Sequence, residues 1–481
     1  MTQFFGREGE LSTLFKLKEK KTSSMVVVTG RRRIGKSRLV EEFAGRATGT
    51  RRLFLTGLAP IKGVSANDQR MEFARQLERE VGLPRIAHDD WTDLFSHLGR
   101  ATSTGKWIVL LDEISWMGSS DATFLPKLKN AWDGQLKKNP KLVLILCGSV
   151  SSWIEKNILS STGFLGRVSS RIQLGELGVS DCLEFWGKRG ERTSVSDKLK
   201  VISVTGGVPR YLEEILASED WEENIRRLCF QKEGILFNEF EQIFTDMFDR
   251  RAAAYKSIVR SLIHGGCELK EIYESLGTSK SGTIIEYLSD LELAGFVSRD
   301  YNWSLKTKKT SKKSKYRLRD NYVRFYLKYV EPNRSAIESD RFKNRSLSTL
   351  LGFDTIMGLS FENLVLCHRS FIWEKCGIDP GDIVAEGTYY QSQTQRRKGC
   401  QIDYLIQTRH GPLYLCEIKS AKEEIGTEVV GEVKNKIDRL ETPKHASILP
   451  VLIHINGVKD TVLQEEFFSR IVDFTQIVNS H

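Results

Sequence analysis

A short segment near the start of the chain has residue types and spacing suited to binding phosphate groups. Met25 to Ser37 reads MVVVTGRRRIGKS, an apolar β-branched run followed by the pattern G-x-x-x-x-G-K-S. In such a loop the backbone N–H groups cradle phosphates, the lysine reaches the β and γ oxygens, and the serine hydroxyl holds Mg²⁺. We therefore expect the nucleotide to be bound by the loop and the start of the next helix, through Gly30, Arg33, Ile34, Gly35, Lys36, Ser37 and Arg38.

Two adjacent acids end a second apolar run at a distance suited to the same site. The segment KWIVLLDEISW, Lys106 to Trp116, places Asp112 and Glu113 directly after a buried strand. An aspartate in this position coordinates the Mg²⁺ of the nucleotide through water, and the next carboxylate orients the attacking water. A third apolar run, LVLILC, is followed by Ser149, which we expect to sense the γ-phosphate.

Near the other end of the chain, two segments carry acids and a lysine with the spacing of a metal site. In GCQIDYLIQTRHGPLYLCEIKSA, Asp403 lies in one alternating run, and Glu417 and Lys419 lie in the next. Strand side chains return to one face at every second position, so pairing the two runs brings both carboxylates together beside Lys419. Carboxylates and a backbone carbonyl, here that of Ile418, suit a divalent cation, and the lysine can stabilise a phosphorane. The structural alternative is a hairpin with exposed charges.

The middle of the chain has the pattern of a winged helix-turn-helix. Three short amphipathic segments from Tyr255 onwards are joined by tight turns, and two strand-like runs follow. The third helix would present Ser279 and Lys280, and the loop between the strands is rich in lysines, among them Lys308, Lys309, Lys312 and Lys313. Such a wing neutralises DNA phosphates without reading bases, which makes binding salt-dependent. The alternatives are a solvated loop and a protein-interaction module.

Several domains must position these segments, because 481 residues exceed what one hydrophobic core, which stops growing near about 250–300 residues, can organise. With 40% hydrophobic and 28% charged residues the composition is globular, and a net charge of +10 favours a polyanionic partner. The eight cysteines fall singly, a spacing that suits neither a disulfide framework nor a zinc site. No signal region and no run of about 18 apolar residues is found, so we expect a cytoplasmic protein without a membrane partner.

The first part of the sequence resembles the archaeal-type ATPases of the AAA+ superfamily, which also occur in bacteria. The resemblance rests on the phosphate-binding loop and on three further boxes: FFGREGEL (Phe4 to Leu11), FLGRVSSRI (Phe164 to Ile172) and GGVPRYL (Gly206 to Leu212). It implies that Arg7 lies near the adenine and that Pro209 belongs to a lid segment that senses the nucleotide. It also implies that Arg167, or else Arg171, is an arginine finger presented to a γ-phosphate in cis or by a neighbouring subunit. The structural alternatives are a surface arginine and a helix stop at Pro209.

The last part of the sequence resembles the PD-(D/E)xK nuclease-like domain of the same family, through Glu362, Asp403, Glu417 and Lys419. The resemblance implies that Glu362, on a helix before the hairpin, joins the other two carboxylates as a metal ligand. Gln401 stands where relatives often have an acid, and the usual proline before the aspartate is absent. Several domains of this fold have lost activity and persist as binding or assembly modules.

The predicted architecture is a multidomain α/β protein. Its parts are a P-loop AAA+ parallel sheet (residues 1–175), a helical lid (176–245), a winged helix-turn-helix (246–332), a linker (333–350) and a C-terminal restriction-endonuclease-like α/β domain (351–481).

These predictions describe a protein that binds and hydrolyses ATP, binds DNA, expected to be double-stranded, and cleaves it with Mg²⁺ or Mn²⁺. Antiviral defence or the maintenance of mobile DNA fits the resemblance, and a homo-oligomer is expected. Two other hypotheses remain open. One is an ATP-switched DNA-binding regulator whose nuclease-like domain does not cut, and the other is a signalling ATPase that assembles with protein partners.

Overall fold

The structure is a computed structural model and comprises two compact units. The first unit contains the chain up to Leu177 together with Val208–Arg210 and Leu293–Gly295, and the second contains the remaining residues. The residues described are 3–59, 63–82, 89–118, 121–149, 151–248, 251–342, 345–395, 398–409, 411–443 and 446–479. Among the helices of these ranges, none has both the length and the apolar content that crossing a bilayer requires.

The first unit is a parallel sheet with helices around it. Its strands are β1 (Ser24–Thr29), β2 (Arg51–Thr56), β3 (Trp107–Asp112), β4 (Leu142–Gly148) and β5 (Val168–Gln173), in the order β2-β3-β4-β1-β5. Its helices are α1 (Glu8–Lys18), α2 (Lys36–Arg46), α3 (Ala66–Val81), α4 (Trp91–Ala101), α5 (Ile114–Gly118), α6 (Phe124–Gly134) and α7 (Ser151–Ile154). All pairings are parallel, and β1, β3 and β4 are buried along their whole length, as expected for a sheet covered on both faces. The predicted parallel sheet is confirmed.

A helical segment follows. Its members are α8 (Val179–Leu183), α9 (Val195–Thr205), α10 (Pro209–Leu212), α11 (Trp221–Cys229) and α12 (Ile235–Phe248). In α12, Phe237, Phe240 and Phe244 recur at the spacing of one helix face and are buried. The residues predicted as a helical lid are therefore helical, and the last helix runs past the predicted end at residue 245.

The next segment combines three helices with a small antiparallel sheet. Its elements are α13 (Ala252–Ser261), β6 (Cys267–Glu268), α14 (Leu269–Ser275), α15 (Gly282–Leu293), β7 (Val297–Trp303) and β8 (Thr310–Leu318), followed by α16 (Asn321–Phe325). The strand order is β6-β8-β7. The three amphipathic helices and the strand pair predicted here are present.

The segment predicted as a linker is packed in part. Apart from residues 343 and 344, which lie outside the described residues, it contains α17 (Arg334–Glu338) and a 3-10 turn over Leu347–Thr349. Phe342 stacks on Phe230 with ring centroids 4.5 Å apart, and the Leu347 N–H donates to Glu222 on α11 at 2.9 Å. The polar composition of the stretch concealed these contacts, because two buried side chains, Phe342 and Leu347, are enough to anchor it.

The C-terminal part is a mixed sheet flanked by helices. Its elements are α18 (Phe353–Cys367), α19 (Arg369–Cys376), β9 (Ile383–Gln391), β10 (Cys400–Thr408), β11 (Leu413–Lys419), α20 (Glu428–Arg439), β12 (Ile448–His454), α21 (Asp460–Gln464) and β13 (Arg470–Asp473). The strand order is β13-β12-β11-β10-β9. Strands β9 to β11 pair antiparallel, whereas β11 to β13 pair parallel.

The β7–β8 hairpin packs on β9, the edge strand of the C-terminal sheet. Trp303 and Leu305 are buried in one apolar cluster with Tyr389 and Ile402. The Trp303 indole N–H donates to Gln407 Oε1 at 3.0 Å, and the Gln407 amide donates to the Leu305 carbonyl at 2.8 Å. Covering an edge strand also removes a template for aggregation. Residues that the sequence assigns to two domains on either side of a linker therefore share one hydrophobic core.

We expect Trp303→Ala to destabilise the second unit by about 3–5 kcal/mol, because it opens a cavity and leaves the Gln407 carbonyl without its donor. The free energy of unfolding in urea, followed by circular dichroism, measures this loss. Lys306→Ala, on the same hairpin but exposed, is the matched control and should change the free energy by less than about 0.5 kcal/mol. Equal effects of the two substitutions would contradict a shared core.

Candidate functional site

Residues with positive φ shape the loop between β1 and α2. Gly30, Arg33 and Gly35 have φ values of 149°, 66° and 90°. A Cβ on Gly30 would lie 2.7 Å from the Leu174 carbonyl oxygen, so a larger residue would displace the backbone there. The loop ends at Lys36, where α2 begins, and the N-terminus of a helix favours an anion through its first N–H groups and its dipole. The predicted phosphate-binding residues thus lie at one helix N-terminus.

Lys36, Ser37 and Asp112 meet beside this loop. The Lys36 ammonium donates to the Arg31 carbonyl at 3.1 Å, which holds the buried side chain across the loop. The Ser37 hydroxyl donates to Asp112 Oδ2 at 2.6 Å, and Asp112 ends β3. A hydroxyl and a carboxylate in contact are hard oxygen donors of the kind that Mg²⁺ prefers, so these two residues fit the predicted ion.

Glu113 and Ser149 are hydrogen-bonded to each other. Glu113 has a φ of 48°, a left-handed value that costs a non-glycine residue about 1–3 kcal/mol. Its Oε2 accepts hydrogen bonds from the Ser149 N–H at 3.2 Å and from the Ser149 hydroxyl at 2.9 Å. Because β3 and β4 are neighbours in the sheet, the residues that follow them meet at its carboxyl edge. The predicted water-orienting carboxylate is therefore linked to the predicted γ-phosphate sensor.

The residues assigned to the adenine and to the lid by family resemblance contact the loop itself. Arg7 donates to the carbonyls of Ile34 at 3.4 Å and Gly175 at 2.6 Å. A Cβ on Gly35 would lie 3.7 Å from Pro209 Cγ. Arg7 thus holds the loop backbone at Ile34 and Pro209 lies beside Gly35, and their predicted contacts with a nucleotide remain predictions.

Two further predicted arginines pair with carboxylates of the same unit. Arg38 forms ion pairs with Glu41 at 3.5 Å and Glu42 at 3.9 Å on its own helix. The Arg167 guanidinium donates to Asp133 through Nε at 3.1 Å and Nη2 at 2.8 Å. Each guanidinium is therefore already paired with a carboxylate of the protein.

Arg167 lies at the edge of the sheet opposite the loop. It precedes β5, whose first residue, Val168, pairs in parallel with Met25 near the start of β1, whereas the loop follows the end of β1. The intervening strand length, about 3.3 Å per residue, separates Arg167 from the loop of its own chain. This topology is incompatible with an arginine finger in cis. Arg171, the second candidate, pairs with Glu155 at 2.8 Å.

Asp403 and Glu417 face each other across the β10–β11 hairpin. Tyr404 pairs with Cys416, so the two acids take the next position of the antiparallel ladder. Glu417 is 2% exposed, and the Ile418 N–H donates to Asp403 Oδ2 at 3.1 Å. Burial, and then the charge of Glu417, raise the pKa of Asp403 to about 6. The predicted hairpin is confirmed, and it brings the two carboxylates together.

A lysine that the sequence analysis missed lies between these carboxylates. Lys436, on α20, donates to Glu417 Oε2 at 2.5 Å and to Asp403 Oδ1 at 3.4 Å. Burial lowers the pKa of Lys436, but the charges of Asp403 and Glu417 outweigh burial and raise it above its ordinary value. Its spacing from the buried Val429 and Val433, seven and three residues earlier, puts it on the apolar face of the helix. That periodicity is the signal that could have found it.

Lys419 emerges on the same face as Glu417, as predicted. Its ammonium lies 3.2 Å from Glu417 Oε1 and 2.7 Å from Glu432 Oε2. Burial lowers the pKa of Lys419, but the hydrogen bond that Lys419 donates to Glu432 and the charge of Glu417 raise it above its ordinary value. Both lysines of the site are therefore cationic at neutral pH.

Glu362, the predicted third metal ligand, lies near enough to Asp403 to be affected by its charge, and its role as a ligand remains a prediction. Within the described part of the chain, no three His, Cys, Asp or Glu side chains form a group that could hold a metal ion. Burial, and then the charge of Asp403, raise the pKa of Glu362 to about 7, while Arg317 and Arg324 act in the opposite direction. The structure thus assembles two of the three predicted carboxylates. Asp403 and Glu417 supply oxygen donors that suit a divalent cation, and the Lys436 ammonium already lies between them.

These side chains line an open cleft with a volume of about 460 Å³, within the range of about 300–1,000 Å³ usual for small-ligand sites. The cleft is lined by Cys400, Gln401, Asp403, Glu417, Lys419, Glu432, Asn435, Lys436 and Arg439. Three of these residues are basic and three are acidic, so the cleft combines cations that suit a phosphate with carboxylates that suit a divalent cation.

The side chains predicted to contact DNA lie on the surface, and two of them touch the C-terminal part. All are exposed: Ser279, Lys280, Lys308, Lys309, Lys312 and Lys313. Lys308 donates to the Arg409 carbonyl at 2.8 Å, and Lys313 donates to the Ser392 hydroxyl at 3.3 Å. Helix α15 carries three acids and neither lysine nor arginine. Positive charge in this region is therefore concentrated in the hairpin.

Comparison with known proteins identifies the first part of the chain. Residues 4–215 match the family model of an ATPase domain found predominantly in Archaea. A Walker-type ATPase of Pyrococcus abyssi has a similar structure over 67% of this chain and 96% of its own, with 17% identity and a TM-score of 0.52. The parallel sheet, the loop and the family match support a P-loop ATPase domain in this part of the chain, as predicted, and the similar structure shows that the fold is shared.

Two further similarities extend beyond this domain. An uncharacterized protein of Methanocaldococcus jannaschii is 25% identical over 367 residues, which cover 75% of this chain and 76% of the relative. The ORC2 protein of Aeropyrum pernix aligns with 71% of this chain and 96% of its own, with 15% identity and a TM-score of 0.40, a similarity too low to bear on function.

Gly30→Ala should weaken ATP binding by at least about 100-fold, because the added Cβ collides with the Leu174 carbonyl and displaces the loop. The affinity for a fluorescent ATP analogue measures the effect. Gly45→Ala makes the same change within α2, where nothing lies within 4 Å of the new Cβ. This control should bind ATP like the wild type, and an equal loss in both variants would contradict the role of Gly30.

Proposed function

We propose that this protein is an ATP-hydrolysing enzyme that binds double-stranded DNA and cleaves it in its C-terminal cleft with Mg²⁺ or Mn²⁺. The observation that carries the proposal is the pair of carboxylates, Asp403 and Glu417, in contact with Lys419 and Lys436 in an open cleft. Antiviral defence or the maintenance of mobile DNA is a setting that suits such an activity.

The ATPase reaction uses the residues around the loop. Lys36 would contact the β- and γ-phosphate oxygens, and Ser37 and Asp112 would hold Mg²⁺, which would neutralise charge on the phosphates when bound. Glu113 orients a water molecule and takes its proton as the water oxygen bonds to the γ-phosphorus and the bond to the bridging oxygen breaks. Ser149 contacts the γ-phosphate and, through its hydrogen bonds to Glu113, couples the presence of this phosphate to the position of the Glu113 carboxylate.

The cleavage reaction uses the hairpin acids. Asp403 and Glu417 would hold the divalent cation, which polarises the scissile phosphate when bound. Lys419, kept in place by Glu432 and Glu417, is positioned to stabilise negative charge that develops on the phosphate. The cleft is lined by three basic and three acidic residues, so the preference for DNA rests on the lysine-rich hairpin beside it, whose charges suit a phosphate backbone.

The lysine-rich hairpin supplies contacts to DNA phosphates outside the cleft, as the wing of a winged helix-turn-helix. The Asn302 amide donates to the Tyr390 carbonyl at 2.7 Å, and Tyr390 pairs with Gln401, which lines the cleft. The loop end of the hairpin therefore lies one strand away from the cleft. Its lysines bind a duplex whose backbone passes the carboxylates, and this binding weakens steeply with salt.

A homo-oligomer completes the proposal. Because Arg167 lies opposite the loop of its own chain, an arginine finger at this position must serve a neighbouring subunit. Its bond to Asp133 orients the guanidinium at the surface of the first unit.

A second candidate function is an ATP-switched DNA-binding regulator that does not cut. Two observations favour it. Lys436 already neutralises the carboxylate pair, and Glu362 does not complete a three-ligand group within the described residues. In this alternative the C-terminal part binds DNA without cutting it, and protein partners carry out the regulatory effect.

Purified protein with ATP and Mn²⁺ should cleave linear double-stranded DNA, and Asp403→Asn should reduce the rate at least about 100-fold because it removes a charged ligand. A gel assay over time measures the rate. Asp438→Asn, an exposed acid on α20 outside the cleft, is the matched control and should cleave normally. Wild-type protein that leaves single- and double-stranded DNA and RNA intact would refute cleavage, and ATP-dependent DNA binding would then favour the regulator.

Lys36→Ala and Arg167→Ala should each lower ATP hydrolysis by about 1,000-fold, and an equal mixture of the two should recover part of it. In the mixture, Arg167 of one subunit serves the intact loop of the other. Phosphate release at increasing protein concentration measures the recovery. The control is a mixture of Lys36→Ala with the double variant that carries both Lys36→Ala and Arg167→Ala, because neither protein in this mixture has an intact loop. Absence of recovery at every concentration would exclude a finger in trans.

A further inference from the structure

Lys436 occupies the position that a divalent cation would need. Its ammonium contacts Glu417 Oε2 at 2.5 Å and Asp403 Oδ1 at 3.4 Å, and it comes from α20, a different element from either acid. We propose that Lys436 is an internal counter-cation that competes with the divalent cation for Asp403 and Glu417, so that the metal binds when Lys436 moves away. This inference rests on the proposed function, because it concerns the regulation of the same site.

The competition follows from the burial of the acids. Glu417 is 2% exposed, and a buried carboxylate without a cation beside it is strongly destabilising. An ammonium and a divalent ion cannot both occupy the space between the same oxygens, because their charges repel one another. Lys419 does not take the place of Lys436, since it contacts the other oxygen of Glu417 and is shared with Glu432.

The Lys436 side chain has room to move away from the acids. Its side chain is 25% exposed and lines the cleft together with Arg439. A flexible four-carbon stem lets the ammonium turn towards the cleft, where a backbone phosphate of DNA can accept its hydrogen bonds. DNA in the cleft would then draw Lys436 from the acids and open the cation position. By linkage, DNA and the divalent cation should each tighten the binding of the other.

The test is Mn²⁺ binding to the full-length protein without nucleotide, measured by isothermal titration calorimetry. Asp403→Asn identifies the heat that belongs to this site. Lys436→Met, which keeps the length and removes the charge, should bind Mn²⁺ at least about tenfold more tightly than the wild type. Lys436→Arg should remain close to the wild type. Lys419→Met is the matched control, and its affinity should change less than that of Lys436→Met.

A second measurement uses a duplex with phosphorothioate linkages that resist cleavage. The duplex should tighten Mn²⁺ binding to the wild type and leave Lys436→Met unchanged. If Lys436→Met does not fold, the test uses the wild type and Lys436→Arg. The inference is overturned if the duplex tightens Mn²⁺ binding to neither of these two proteins. An affinity of folded Lys436→Met equal to or below that of the wild type also overturns it.

Cleavage is scored separately, so the two proposals can fail independently. Tighter Mn²⁺ binding by Lys436→Met with uncut DNA supports the competition and removes the nuclease. Cleavage by the wild type with no gain in Mn²⁺ affinity for Lys436→Met supports the nuclease and removes the competition. Absence of Mn²⁺ binding at Asp403 in all variants removes both.

Discussion

A carboxylate as buried as that of Glu417 can remain charged only if cations reach it, and the C-terminal part of the chain is organised around this requirement. Lys419 arrives from the same strand and Lys436 arrives from α20. The ion pairs therefore tie the helix to the sheet on the side where valines of α20 fill the core. In the proposed function, the same ion pairs also control access of a metal ion to the acids.

The ATPase site depends on a comparable compromise. The loop needs left-handed conformations at Arg33 and Gly35, and Glu113 is strained as well. Hydrogen bonds from Arg7 to the Ile34 carbonyl of the loop and from Ser149 to Glu113 compensate for part of this cost. The loop conformation is thus held by contacts within the protein, which lowers the cost of ordering it when phosphate binds.

The packing of the β7–β8 hairpin on β9 changes how DNA binding should be understood. A wing on an independent domain could reach DNA at a distance from the cleft. Here Trp303 and Leu305 bury the hairpin in the core of the C-terminal sheet, so its lysines and the cleft belong to one compact unit. The acidic surface of α15 makes the hairpin, rather than the helix, the stronger attraction for phosphate.

The sequence alone was sufficient for features that depend on local order. The parallel sheet, the loop, the contact between Ser37 and Asp112, and the hairpin that joins Asp403 to Glu417 all follow from apolar runs, glycine positions and the period of a strand. The tertiary structure alone decided which distant residues meet. It placed Lys436 between the acids, left Glu362 outside a ligand group and put Arg167 at the sheet edge opposite the loop. Local patterns report which side chains share a face of one element, whereas the partner of that face depends on how the elements pack, and packing is set by burial summed over the whole unit.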